Sequence, residues 1–233
     1  MIVTVCGGKG GVGKSTVSLN LAAALDGVVV DADLGMADLP TDGGPTLHDV
    51  LAGRIDPLDA VRTDWAVGVL PAGRSLAGAR SVEPAELNPV LETLSETYEY
   101  VIVDAPAGFD ADAALPIVAA DCCVLVTTPE PATLADAVRT RSLARELGTD
   151  LGAVVLNRAA QTRDAVTKTL GGPQVAVPTH QDIHEAQQSG LPVSYTDADP
   201  EPVQRFESVA DRLRTVARDR RTGTLTTGGA KNS

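Results

Sequence analysis

The stretch GKGGVGKS, Gly8–Ser15, fits the pattern G-x-x-x-x-G-K-[ST], and it lies between a strand-like run, Ile2–Val5, and a helical run, Ser15–Leu25. Strand, glycine loop and helix in that order constrain the fold more than any other feature of the chain. Glycines let the backbone turn tightly enough for its N–H groups to face an anion, and the helix that follows contributes the positive end of its dipole. In a phosphate loop of this kind the last lysine, Lys14, reaches the β- and γ-phosphates, and Ser15 holds Mg²⁺. Lys9 is a second lysine that the pattern does not require.

Further apolar runs alternate with helical patterns. Strands are expected over Val28–Val30, Val67–Leu70, Tyr100–Val103, Cys122–Val126, Ala153–Leu156 and Gln174–Val177. Helices are expected over Leu47–Leu51, Pro84–Thr97, Ala111–Ala119, Thr133–Leu147, Asp164–Leu170 and Glu201–Asp219, with Asp26-Gly27 and Leu147-Gly148 as stops. Aromatic residues are only 3% of the chain and hydrophobic residues 43%, so the core must be built from Val, Ala, Leu and Ile. That filling suits a parallel sheet covered by helices. The predicted fold is α/β: a single P-loop NTPase domain over residues 1–220, with a mostly parallel central sheet and helices on both faces. A polar, Gly/Thr-rich tail over 221–233 is expected to be disordered.

The strands end on polar residues. Val28–Val30 runs into Asp31 and Asp33, Tyr100–Val103 into Asp104, and Ala153–Leu156 into Asn157 and Arg158. Ligands of open parallel sheets bind beyond the carboxyl ends of the strands, so these groups gather at one edge with the phosphate loop. Asp104 occupies the usual place of the carboxylate that holds Mg²⁺, and Gly108 behind it suits a hinge. Asp31 and Asp33 lie two apart and point the same way if extended geometry persists. One would then assist at Mg²⁺ while the other orients the attacking water.

With a lysine directly after its first glycine, KGGVGKS resembles the deviant Walker A signature of the MinD/ParA family of ATPases. The similarity continues through VVDADLGMADL, TLHDVLAG, YVIVDAPAGF, VLVTTPEPATLADAVRT and VVLNR, and the DADLG and DAPAG forms look closest to archaeal MinD-like proteins. The resemblance implies ATP and Mg²⁺ as cofactors. It implies a nucleotide cradle of Gly8, Lys9, Gly10, Gly11, Val12, Gly13, Lys14, Ser15 and Thr16, with Thr16 on the α-phosphate. Lys9 would cross an ATP-dependent homodimer to the partner subunit's phosphates, so Lys9, Lys14 and Asp33 form the catalytic set and Asp33 orients water. Ser15, Asp31 and Asp104 would hold the metal. Asn157 with Arg158 would recognise adenine, and Pro178 lies in VPTHQDIHEAQQSGLPV, which resembles the stretch that closes over the base.

The implied function is a Mg·ATP-dependent dimerising switch that hydrolyses ATP. It engages a protein partner and acts in the spatial positioning of cell-division, motility or related assemblies. The rival on the same fold is a metal-cluster carrier or reductase, like Mrp-type scaffold proteins or the nitrogenase iron protein. It needs exposed cysteines, and adjacent Cys122 and Cys123 in a strand offer poor geometry. With Cys6 they read as buried small hydrophobes. A ligase or amidase would need a further substrate domain, which the chain does not suggest. His180 and His184, four apart, read as a solvated helix start.

Net charge is −12, and arginines interleave with acids, which argues against DNA as a partner. The acids are mostly Asp (21 against 10 Glu) and the bases mostly Arg (15 against 4 Lys), as in proteins of halophilic archaea that work in molar salt. The tail GTLTTGGAKNS has one leucine and too little apolar area to anchor, which argues against direct membrane binding. No apolar run approaches the roughly 18 residues of a membrane span. The expected location is cytoplasmic, with recruitment to a pole or the membrane through a partner.

Overall fold

Seven short runs dominated by Val, Leu and Ile form the strands of one sheet in this computed structural model, which describes residues 1–34, 39, 43–73, 86–109 and 111–223. They are β1 (Ile2–Cys6), β2 (Val28–Asp31), β3 (Gly68–Leu70), β4 (Val101–Asp104), β5 (Cys122–Thr127), β6 (Asp150–Asn157) and β7 (Gln174–Val177). Their order is β3-β2-β4-β1-β5-β6-β7, and each neighbouring pair runs parallel. All seven strands expected from the sequence are present, with no end shifted by more than three residues.

Side-chain alternation splits the core in two, as the period of a strand requires. Val3, Val5, Val29, Ile102, Val124 and Val155 point to one face. There they meet α1 (Lys14–Leu25) and α9 (Pro200–Arg221), which also pack on each other. Leu21 of α1 and Leu213 of α9 are both fully buried in this layer, and truncating either to alanine would cost about 2–5 kcal/mol. Among the described residues the opposite face carries two large clusters and a small one of Leu156, Ala159 and Ala176. Val28, Val30, Val101 and Val103 pack with residues of α2 (Leu47–Leu51), α3 (Pro57–Ala60) and α4 (Leu87–Thr97). Cys123, Leu125 and Val154 pack with residues of α5 (Ala111–Ala119), α6 (Pro131–Glu146) and α7 (Asp164–Leu170). Helices on both faces are therefore an outcome of the sheet's period-two pattern.

The connection after β7 forms α8 (Gln181–Gln188), whose start the sequence places at His180 but whose extent its periodicity does not show. Its inward-facing residues are Ile183 and Ala186, too few to show a stripe. Four-residue α3 was missed, although Asp56 caps it by accepting from Leu58 N at 2.9 Å and Pro57 opens it. The expected helix over 84–97 begins at Leu87, and its first positions, 84 and 85, lie outside the described residues. Helix α9 continues through Arg221, one residue into the expected tail, and residues 224–233 of that tail lie outside the described residues. No helix among the described residues is long and apolar enough to cross a membrane.

A candidate nucleotide site at the carboxyl edge of the sheet

Strand β1 is central, with β4 on one side and β5 on the other, and the chain leaves its end directly into the glycine loop. Gly11 and Gly13 have φ of 76° and 101°, a region that side chains rarely adopt. Around Gly10 and Gly11 an added Cβ would meet no heavy atom within 4 Å, so this backbone lies open. At Gly13 an added Cβ would strike the amide of Asn157. Gly13 is also the N-cap of α1, where no side chain caps the helix and no acid occupies the first turn. The N–H groups that every helix start leaves unpaired therefore face the loop without a competing carboxylate from that turn.

The two lysines of the loop differ. Lys14, at the first position of α1, is buried with 7% of its surface exposed, whereas Lys9 is exposed. Ser15 and Thr16 are half-buried beside Lys14.

Beyond β1, the ends of β2 and β4 bring Asp31 and Asp104 opposite each other in register. Both are buried, at 0% and 2% exposure. Burial, and then the neighbouring charge of Asp104, pushes the Asp31 carboxyl well above the usual carboxylate range. Asp31 accepts from the backbone N–H of Asp33 at 3.1 Å and of Leu39 at 3.4 Å. The strand ends at Asp31 and the chain turns there, so the extended geometry that would align Asp31 with Asp33 does not persist. Asp33 stands half-buried beyond the turn. Ser18 Oγ lies 3.0 Å from both Asp104 Oδ1 and Lys14 O, tying the carboxylate to α1. Ser18 was missed in the sequence, though its place one helical turn after Lys14 marks it.

On the other side, β6 ends in Asn157 and Arg158. Asn157 Nδ2 donates to Val12 O at 2.8 Å, and Arg158 Nη2 donates to Gly11 O at 2.8 Å. Arg158 is left-handed, with φ of 57°, which turns its side chain back over the loop. Both residues expected at adenine thus hold the phosphate loop from its flank. Pro178 follows Val177, the register partner of Asn157, and is half-buried at the adjacent strand end. Phe109, also missed, presses its ring where a side chain on Gly8 would sit, with Arg139 over the ring at 6.0 Å from its centre.

Buried paired carboxylates and a serine hydroxyl form a hard oxygen set that fits Mg²⁺. The cysteines offer no surface ligand: Cys6, Cys122 and Cys123 are exposed by 2%, 0% and 1%. A hydrogen bond with Cys123, reinforced by burial, holds the Cys6 thiol well above its usual range, and burial raises Cys122. This does not favour the cluster-carrier alternative.

Residues 3–193 match the CobQ/CobB/MinD/ParA nucleotide binding domain. An uncharacterized ATP-binding protein of Methanocaldococcus jannaschii is 33% identical over 228 residues, covering 91% of this chain and 86% of that protein. The septum site-determining protein MinD of Thermotoga maritima is 29% identical over 239 residues, with coverage of 91% and 88%. Among solved structures, MinD of Pyrococcus horikoshii in complex with Mg-ADP superposes with a TM-score of 0.84 at 29% identity, covering 93% of this chain and 96% of that one. The loop, the strand-end carboxylates and these likenesses agree: the chain belongs to the CobQ/CobB/MinD/ParA family of nucleotide-binding domains.

Proposed function

We propose that the protein is a Mg·ATP-dependent ATPase switch of the MinD type, which dimerises on ATP and releases its partner on hydrolysis. The observation that carries this reading is the contrast between buried Lys14 and exposed Lys9 within one loop. A lysine held inside its own site neutralises its own nucleotide, and one held outside is placed to serve a second subunit's phosphates. Such a contact makes hydrolysis depend on dimerisation, as an arginine finger does in trans.

In this reading Ser15, Asp31 and Asp104 hold Mg²⁺, which when bound neutralises charge on the β- and γ-phosphates. Gly8 to Thr16 cradle the phosphates, Asp33 orients the attacking water, and Asn157, Arg158 and Pro178 line the base side. Losing one positioning group commonly costs roughly 10²-fold or more in rate. Single-turnover hydrolysis by Asp33→Ala and Asp31→Ala tests the roles. We expect Asp33→Ala to retain nucleotide and hydrolyse slowly. A wild-type rate in Asp33→Ala, with loss in Asp31→Ala, reverses the assignment.

The domain spans residues 1–220, and the protein acts in the cytoplasm, reaching a pole or membrane through a protein partner. Its role is the positioning of cell-division, motility or related assemblies, and the MinD likenesses support that direction. The charge of −12 with Asp and Arg bias supports a halophilic archaeal setting. Self-repulsion in dilute buffer should make the thermal midpoint rise between low and molar KCl.

A further inference from the structure

A cluster on the base side of the sheet edge is used by none of these roles. His180 caps α8, Asp182 lies in its first turn, and Asp199 stands at the N-cap position of α9, seventeen residues beyond Asp182, with no side-chain cap bond. We propose that these three side chains form a binding site for a divalent transition-metal cation of the zinc class.

One donor atom from each residue lies within 4.8 Å of the other two. His180 Nδ1 is 3.6 Å from Asp182 Oδ2, and Nε2 is 3.7 Å from Asp199 Oδ2. Nδ1 accepts from Asp182 N at 3.3 Å in the metal-free protein, a bond that a cation on that nitrogen would replace while drawing both carboxylates towards it. Asp199 N donates to Asp182 Oδ2 at 2.6 Å, which fixes that carboxylate and leaves its second oxygen available. Among the described residues, no lysine or arginine makes an ion pair with either carboxylate, and the side chain beside both is the His180 imidazole. Two carboxylates with one imidazole therefore carry charge that the fold has not neutralised.

The donor set selects the cation. Imidazole with carboxylates suits zinc and its neighbours, whereas Mg²⁺ prefers oxygen and water. Three protein ligands leave a position for water, as open zinc sites do. His180 and Asp182 are three-quarters buried, while Asp199 is 75% exposed and swings to complete the site. Binding would clamp the start of α9 to the connection that carries Pro178. The site is separate from the ATP reading and stands whether or not that reading holds.

The test is a Co²⁺ titration of the nucleotide-free full chain in molar KCl, which screens diffuse carboxylate binding. We expect a saturable d–d absorption at one equivalent, displaced by Zn²⁺. Asn is a favoured N-cap residue and Asp199 makes no side-chain cap bond, so His180→Asn and Asp199→Asn should fold. Each should weaken Co²⁺ binding by at least about 10-fold, while Asp197→Asn, a neighbouring carboxylate outside the cluster, leaves it unchanged. No saturable signal at millimolar Co²⁺ would overturn the proposal. So would a thiolate charge-transfer band, an unchanged isotherm in His180→Asn, or equal weakening in Asp197→Asn.

Discussion

Asp31 and Asp104 face each other in register across β2 and β4, both buried at the carboxyl edge of the sheet. Two like charges at adjacent strand ends repel, and burial removes the water that would screen them. The arrangement costs stability in the empty protein, a cost that a divalent cation held by these carboxylates would offset. Mg²⁺ should therefore raise the thermal midpoint of the ADP-bound wild type above that with ADP alone. Asp31→Asn should lose most of that increment while starting from an equal or higher midpoint without Mg²⁺. Differential scanning fluorimetry with and without Mg²⁺ measures both.

Asn157 clamps the phosphate loop through Val12 O, and its amide occupies the space that a Cβ on Gly13 would need. Asn157→Ala deletes that bond and leaves a loop carbonyl without its partner, a loss of about 1 kcal/mol. ADP affinity should fall by up to about 10-fold, because the loop must then order itself on binding. Isothermal titration in Mg²⁺ reports it. Gly13→Ala should be worse, since it adds strain at φ of 101° to the clash with the Asn157 amide.

His48 gives the fold a pH dependence away from the nucleotide site. Only 3% of it is exposed, and its Nε2 has no hydrogen-bond partner among the described residues. Burial lowers its pKa, with nearby Arg54 acting in the same direction and Leu34 and Asp49 opposing. A base with a depressed folded pKa binds fewer protons folded than unfolded. Its stability contribution is full above the unfolded value of 6.5 and is lost as pH falls towards the folded one. The thermal midpoint should drop between pH 8 and pH 5, and the drop should shrink in His48→Gln.

Much of this was legible because strand ends carry the chemistry. An apolar run that stops at Asp31, Asp104 or Asn157 announces both its strand and its polar terminus, and the glycine loop fixes which edge they share. Helix α3 and the extent of α8 were not legible, being too short or too sparsely apolar for periodicity to show. Contacts across the loop were hidden for another reason. That Asn157 reaches Val12, 145 residues away, and that Phe109 covers Gly8 are consequences of tertiary packing. No local pattern encodes them. The turn after Asp31 was hidden too, because Asp33 bonds back to the Asp31 side chain and breaks the extended geometry that their spacing suggests.

The central claim is that one loop carries a lysine for its own nucleotide and another for a second subunit's. Light scattering of wild type, Lys9→Ala and Lys14→Ala with Mg·ATP in molar KCl tests it most directly. The account predicts that ATP doubles the wild-type mass from 24.0 kDa. Lys9→Ala should bind ATP but dimerise or hydrolyse poorly, and Lys14→Ala should stay monomeric at every ATP concentration. A wild type that binds ATP at unchanged mass, with Lys9→Ala turning over at the wild-type rate, would contradict it.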